Sequence, residues 1–319
     1  DISESSPSIE DERGRKLLIF SDNRQEAAFF AGYLGNKHDF IMWRRLILKE
    51  LKKESEGIYI KDLIDRLKVA AEKNNLYSTE TTLTDREKEN IAARYVLFEF
   101  MEMDKKTGLV GRGLIEVFPE EIKLGKGKWS LSPEETWNLL RFFMDTLRTS
   151  FAVIFPETLS YSDDFFAPRN REVGFRLEKG TPVIKAFVPA EGKNNKRSEF
   201  VKKIMERGCE EYKEILQEAF KLIVQLSKYG YIRKKKLQKY SNEGDVYAID
   251  YKKWKMRAIR EEQKLYRCKK CGAITAYSIR GKCQVFKCDG ELEAIDASVI
   301  QKIPYYYSLY TQEKLIPMV

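Results

Sequence analysis

The sequence predicts an α+β fold that is mainly helical, and three observations lead there. Residues 15–34 read as one strand, a turn and a helix. Several later segments carry apolar residues at helical spacing behind clear start signals. Four cysteines toward the C-terminal end form two close pairs among short strand patterns.

Taken in order, Leu17-Leu18-Ile19-Phe20 is apolar without alternation, the pattern of a parallel strand covered on both faces. Ser21 or Asp22 can cap the helix that follows, Gln25 stands at capping-box distance from Asp22, and Gly35-Asn36 supplies a left-handed stop. A buried strand feeding a helix is half of an α/β unit. Its crevice lies at the carboxyl end of the strand, where helix amides favour anions, and Arg24 sits there. Before it, residues 1–12 are acidic and Ser-rich and read as a linker.

At residues 17–34, LLIFSDNRQEAAFFAGYL, the chain resembles motif IV of the second RecA-like domain of large superfamily-2 DEAD/DEAH-box helicases. The branch it resembles interrupts that domain with a long insert carrying a cysteine cluster. The resemblance implies that an acidic linker and first RecA-like βα unit at 1–36 and a return segment to the RecA-like domain at 301–319 bracket a long insert, which the residue patterns divide into a helical insert at 37–160, a hairpin or linker at 161–195, a winged-helix-like basic module at 196–262 and a zinc ribbon at 263–300. It also implies nucleic-acid contacts at Ser21, Asn23, Arg24 and Gln25, and ATP with Mg2+ bound only in the full-length parent. A helix cap alone explains Ser21, Asp22 and Gln25 equally well.

Within the insert, residues 40–51 and 60–71 show helical spacing, and Thr84 with Glu87 opens a third helix as a capping box. Ser132-Pro133-Glu134-Glu135 joins cap, proline and returning glutamate, and Trp137, Leu140, Phe143, Met144 and Leu147 form a core stripe behind it. Residues 174–188 suggest a hairpin. Helices at 198–207 and 209–228, a short segment at Tyr231-Ile232, a turn at 241–245 and a strand at 246–251 follow winged-helix order, in which a helix and a wing meet a duplex mainly through phosphates. A helical spacer is the alternative.

Of the 319 residues, 58 are Lys or Arg and 49 are Asp or Glu, a net charge of +9. The excess lies in the second half and concentrates between Lys228 and Lys270, where Arg233, Lys234, Lys235, Lys236, Lys239, Lys252, Lys253 and Lys255 interleave with Tyr229, Tyr231, Tyr240, Tyr247, Tyr251 and Trp254. Cations that neutralise phosphates release counterions and aromatic faces stack on unpaired bases, so the mixture suits nucleic acid, DNA ahead of RNA; a solvated face with structural tyrosines is the plain alternative.

Cys268-Lys-Lys-Cys271 is followed by Cys283-Gln-Val-Phe-Lys-Cys288, with Gly272 and Gly290 just after each pair. Four thiolates in two short pairs close a tetrahedral shell around a structural Zn2+ and leave no open position for catalysis. Residues 273–279 and 291–295 are the strands expected to pair across the site. The four-residue gap in the second pair is wider than the common two. A disulfide is disfavoured, since no secretion signal is present and cytosolic thiols stay reduced. Cys209 is left over as a free thiol.

Catalytic machinery is not in view. No G-x-x-x-x-G-K-[ST] cradle occurs, Gly125-Lys-Gly-Lys128 lacks its spacing, and His38 is the single histidine, expected on the surface after the first helix. With no long apolar stretch either, the expectation is a cytoplasmic accessory region of an ATP-dependent helicase that binds nucleic acid, touches the parent's remaining RecA-like domains and no membrane. The alternatives are a stand-alone winged-helix and zinc-ribbon regulator, or a docking module for proteins of a defence or repair complex.

Overall fold

The computed structural model describes residues 24–77, 82–205, 211–236, 245–301 and 309–311. The chain falls into two compact units, residues 1–41 and 42–319. The strand expected at 17–20, and Ser21 and Asn23 with it, lie outside the described residues. Helix α1 (Arg24–Leu51) does not stop at Gly35-Asn36; it continues unbroken through the second predicted helix, so His38 lies within it. Local stop signals are a weak prior, and a longer run of hydrogen bonds overrides them here.

The second unit is mixed α and β. Strand β1 (Ile58–Tyr59) leads into α2 (Ile60–Lys73), whose Ile60, Leu63, Ile64, Leu67 and Ala71 are buried on one face. That face packs on α3 (Asp85–Phe100), which opens with the expected box: Thr84 accepts from the Glu87 amide and Glu87 reaches back to the Thr84 amide. Strand β2 (Ile115–Pro119) precedes α4 (Pro133–Arg148), where Ser132 and Glu135 form the second box and Trp137, Leu140, Phe143, Met144 and Leu147 are buried as predicted.

Strands β3 (Gly174–Arg176) and β4 (Ile184–Ala186) pair in parallel, Gly174 opposite Ile184 and Arg176 opposite Ala186, so the predicted hairpin is not formed. A two-strand antiparallel ribbon would have brought Val183 back beside Leu177; instead the connection loops round and Gly174 donates its amide to the Val183 carbonyl at 3.0 Å. Helices α5 (Lys196–Met205) and α6 (Glu211–Gln225) come next, and Gly230, with φ of 81°, turns the chain into β5 (Ile232–Lys235). Strand β6 (Val246–Ile249) pairs antiparallel with β5 and also with β3, giving a four-stranded sheet of order β4-β3-β6-β5, while Ile249 bridges Val153.

Strand β7 (Trp254–Ala258) is the centre of a second sheet, β1-β7-β2. It alternates, with Trp254, Met256 and Ala258 buried and Lys255 and Arg257 on the other face. The third sheet is β8 (Lys264–Cys268) flanked by β10 (Leu292–Asp296) and β9 (Ile274–Thr275). The predicted pairing of 273–279 with 291–295 is therefore replaced: each pairs with β8, which runs between them. Helix α7 (Ala297–Gln301) follows, and of the return segment only 309–311 is described, with Tyr310 donating to the Thr107 carbonyl at 2.9 Å. No described helix is long and apolar enough to cross a membrane.

Candidate metal centre and basic surface

Cys268 ends β8, and the chain turns at once through Gly272, whose φ of 71° is left-handed and whose amide donates to the Cys268 carbonyl at 2.9 Å. This turn sets Cys271 beside Cys268. On the other side Cys283 donates its amide to Gly290 at 3.0 Å and Cys288 to Val285 at 3.2 Å, which folds the four-residue gap into a loop with both sulfurs inward. The four Sγ atoms lie within 4.8 Å of one another, and the pairs Cys268–Cys288 and Cys271–Cys283 are each 3.7 Å apart. A disulfide bond is close to 2 Å, so these are separate thiols. A tetrahedron with metal–sulfur distances of about 2.3 Å has edges of about 3.8 Å, which is the spacing of both pairs.

The surroundings fit a metal ion as well. Cys268, Cys283 and Cys288 are buried against Leu292, while Cys271 reaches the surface. The amides of Cys271 and Val285 point at the sulfurs of Cys268 and Cys283 at 3.5 and 3.4 Å, as donors that offset thiolate charge. A Cβ on Gly290 would come within 2.5 Å of the Cys268 sulfur and 3.4 Å of the Cys288 sulfur, so this position leaves room for the cluster only without a side chain. Burial pushes the Cys283 thiol up. At Cys268 burial acts the same way but is outweighed by the amides of Cys271 and Lys270, and its thiol falls to about 7. Four thiols so close hold their negative form together only around a cation.

The loop between Cys283 and Cys288 rests on α5. Lys203 donates to the carbonyls of Cys283, at 2.9 Å, and Cys288, the Lys287 amide donates to the Glu199 carboxylate, and Arg280 caps the end of α5 through the Ile204 carbonyl at 2.8 Å. Val285 and Phe286 project from it, 39% and 41% exposed between two ligands that hold the backbone on either side.

The basic segment is dispersed by the fold, because β5 and β7 belong to different sheets. Lys236 and Lys252 are exposed and make no ion pair among the described residues. Arg233 and Lys234 are exposed but paired, with Asp250 at 2.6 Å and Asp245 at 2.5 Å, and half-buried Lys253 meets Glu120 at 3.4 Å. Lys255 lies 4.6 Å above the Tyr59 ring. Lys235 is placed inside the molecule, 9% exposed, over the Tyr161 ring at 4.0 Å and 3.2 Å from Glu172. A cation so enclosed has no open face for a phosphate. The aromatics of this segment are largely core: Tyr231, Tyr251 and Trp254 are buried, and Tyr247 packs on Phe175 and Phe220. Among the described ones Tyr229 is exposed, 53% free, beside Lys228, and Tyr240 lies outside the described residues. Lys239 and Cys209 lie outside the described residues, as do the side chains of Arg24 and Gln25.

Sequence reasoning missed a buried charge network under the ribbon. Arg148 pairs with Glu102 at 2.5 Å and Asp145 at 3.0 Å, and Arg141 pairs with Glu116 at 2.7 Å under the Tyr277 ring, 4.4 Å from its centre. Its members are spread over 175 positions of the chain, from 102 to 277, and no local spacing signals it.

Compared with family models, curated proteins and solved structures, the chain matches none.

Proposed function

We propose that the chain is a zinc-stabilised, nucleic-acid-binding accessory region, and that the likeness of residues 17–34 to motif IV marks an ATP-dependent helicase as its parent. The observation that carries the zinc is the tetrahedral spacing of Cys268, Cys271, Cys283 and Cys288. An all-thiolate, closed set selects Zn2+ and assigns it a structural part. Nucleic-acid binding is supported by the net charge and by exposed Lys236, Lys252, Arg233 and Lys234 around one hairpin, β5–β6. The succession α5, α6, β5, β6, with Ile249 bridged to Val153, supports a winged-helix-like reading of that part. ATP and Mg2+ belong to the parent motor.

Two measurements test the reading together. Metal analysis of the purified chain should give one zinc per molecule, and affinity for a fluorescein-labelled oligonucleotide should fall about tenfold or more between about 50 and 200 mM salt, as when several phosphates are neutralised. A metal-free protein with four freely titrating thiols removes the ribbon. An affinity indifferent to salt removes the phosphate surface.

A further inference from the structure

The four-residue gap between Cys283 and Cys288 has a consequence on the surface. Two residues more than a tight knuckle needs are extruded, and both are apolar: Val285 and Phe286. Val285 edges a cleft of 320 Å³ that runs between the ribbon and α4. Among its lining, the acids are already engaged: Glu102 and Asp145 by Arg148, Glu116 by Arg141 and Arg257. Two cations of that lining are not. Lys105 is exposed and Lys196 half-buried with its ammonium 5.4 Å from the centre of the Phe142 ring, and neither forms a hydrogen bond or ion pair with its side chain among the described residues. Burial draws the Lys196 ammonium below its ordinary value, and the positive charge of Lys105 adds to that shift against the opposing pull of Glu102. Two cations lining one cleft without an ion pair among the described residues suit an anion. The Phe286 ring, 41% exposed next to the Val285 that lines this cleft and with the Lys287 ammonium 5.7 Å from its centre, suits a flat partner.

We propose that the Cys283–Cys288 loop and the cleft below it bind single-stranded nucleic acid, an unpaired base stacking on Phe286 and a neighbouring phosphate meeting Lys105 and Lys196. The site deepens the function proposed above and rests on it. Stacking on Phe286 needs a base outside a duplex, because paired bases hide their faces. The arrangement therefore distinguishes this site from the β5–β6 hairpin, whose exposed cations address phosphates of either form.

The test compares fluorescein-labelled oligothymidylate with a labelled duplex, both bound to the zinc-loaded chain. Phe286→Ala should weaken the single strand about tenfold, a stacking contribution at the lower end of those known, and change the duplex less than twofold. Lys105→Gln with Lys196→Gln should flatten the salt dependence for the single strand. Unchanged zinc content in each variant shows that the ribbon is intact. If Phe286→Ala leaves the single strand as tightly bound while Lys236→Gln with Lys252→Gln weakens both probes, this site is overturned and the broader function stands. Equal loss on both probes also overturns it, since stacking would not be the cause. If the unaltered chain binds neither probe, the broader function falls and this site with it.

Discussion

The four-cysteine sheet and the helical body differ in how much they bury. In the body, large side chains are sealed from water: Trp254, Phe100, Phe142, Phe143 and Phe187 are all at most 1% exposed, and Phe100 meets the Trp254 ring edge-on at 5.5 Å. The ribbon, residues 264–296, has no such reserve. Leu265 and Ile279 are its deeply buried aliphatics, β9 is half-buried throughout, and β10 has no buried residue. Its best-sealed group besides them is the sulfur cluster. So small a sheet cannot offset the entropy of ordering by burial alone, and in the function proposed above zinc ligation supplies what packing does not. The difference teaches that one chain can carry two kinds of stability side by side, each with its own way of failing.

The sharpest way to break that comparison is to remove the ion. Structural zinc sites are bound with about 10–16 kcal/mol, so a strong chelator should release the ribbon's amides to hydrogen exchange while those of α2, α3 and α4 stay protected. Melting of the whole chain in one step would show that the body leans on the ribbon. Retained protection in both would show that the cluster needs no cation.

The converse cut falls in the body. Trp254→Ala empties the place where β7 meets α3, and a cavity of that size costs about 3–5 kcal/mol. Denaturant melts should show that loss with zinc content intact. A loss of less than about 1 kcal/mol would mean that the body is not organised around this ring. Trp254 also carries an indole N–H with no partner in the described structure, so Trp254→Phe should cost distinctly less than Trp254→Ala.

The same contrast explains what could be read in advance. Both capping boxes and the cysteine quartet are local: cap and partner are three residues apart, and each thiol pair sits on one turn, so spacing alone reveals them. Pairing across long stretches is not local. Nothing in the residues at 273–279 and 291–295 says that β8 will lie between them, nor that 174–176 and 184–186 will run the same way. The basic segment is dispersed for another reason. In Trp254-Lys-Met-Arg-Ala258 the cations alternate with apolar residues, a period-two pattern of a strand with one covered face, and the other face spends them on Tyr59 and Glu116. Charge density along a sequence is therefore a poor measure of charge on a surface. Tyr231, Tyr251 and Trp254, read as stacking faces, went to the core, whereas Phe286, inside the motif itself, stayed outside.

The finest test of the comparison is a single methyl group. Gly290→Ala adds nothing charged and leaves every ligand in place, yet its Cβ would fall 2.5 Å from the Cys268 sulfur and 2.8 Å from the Lys270 Cβ. The Lys270 Cβ is fixed by its backbone and can yield only if the turn after Cys268 shifts. The sulfur can do so only by leaving the tetrahedron, because Cys268 is anchored by β8 on one side and by its paired thiols on the other. Disturbing what surrounds a metal's ligands commonly costs about 10–100-fold in affinity, and a competition titration against a chromophoric chelator should find a loss in that range. The melting of the helical body should not move. If zinc affinity is unchanged, the turn at Gly290 has room the geometry denies it; if the body also softens, the two regions share more than the loop on α5.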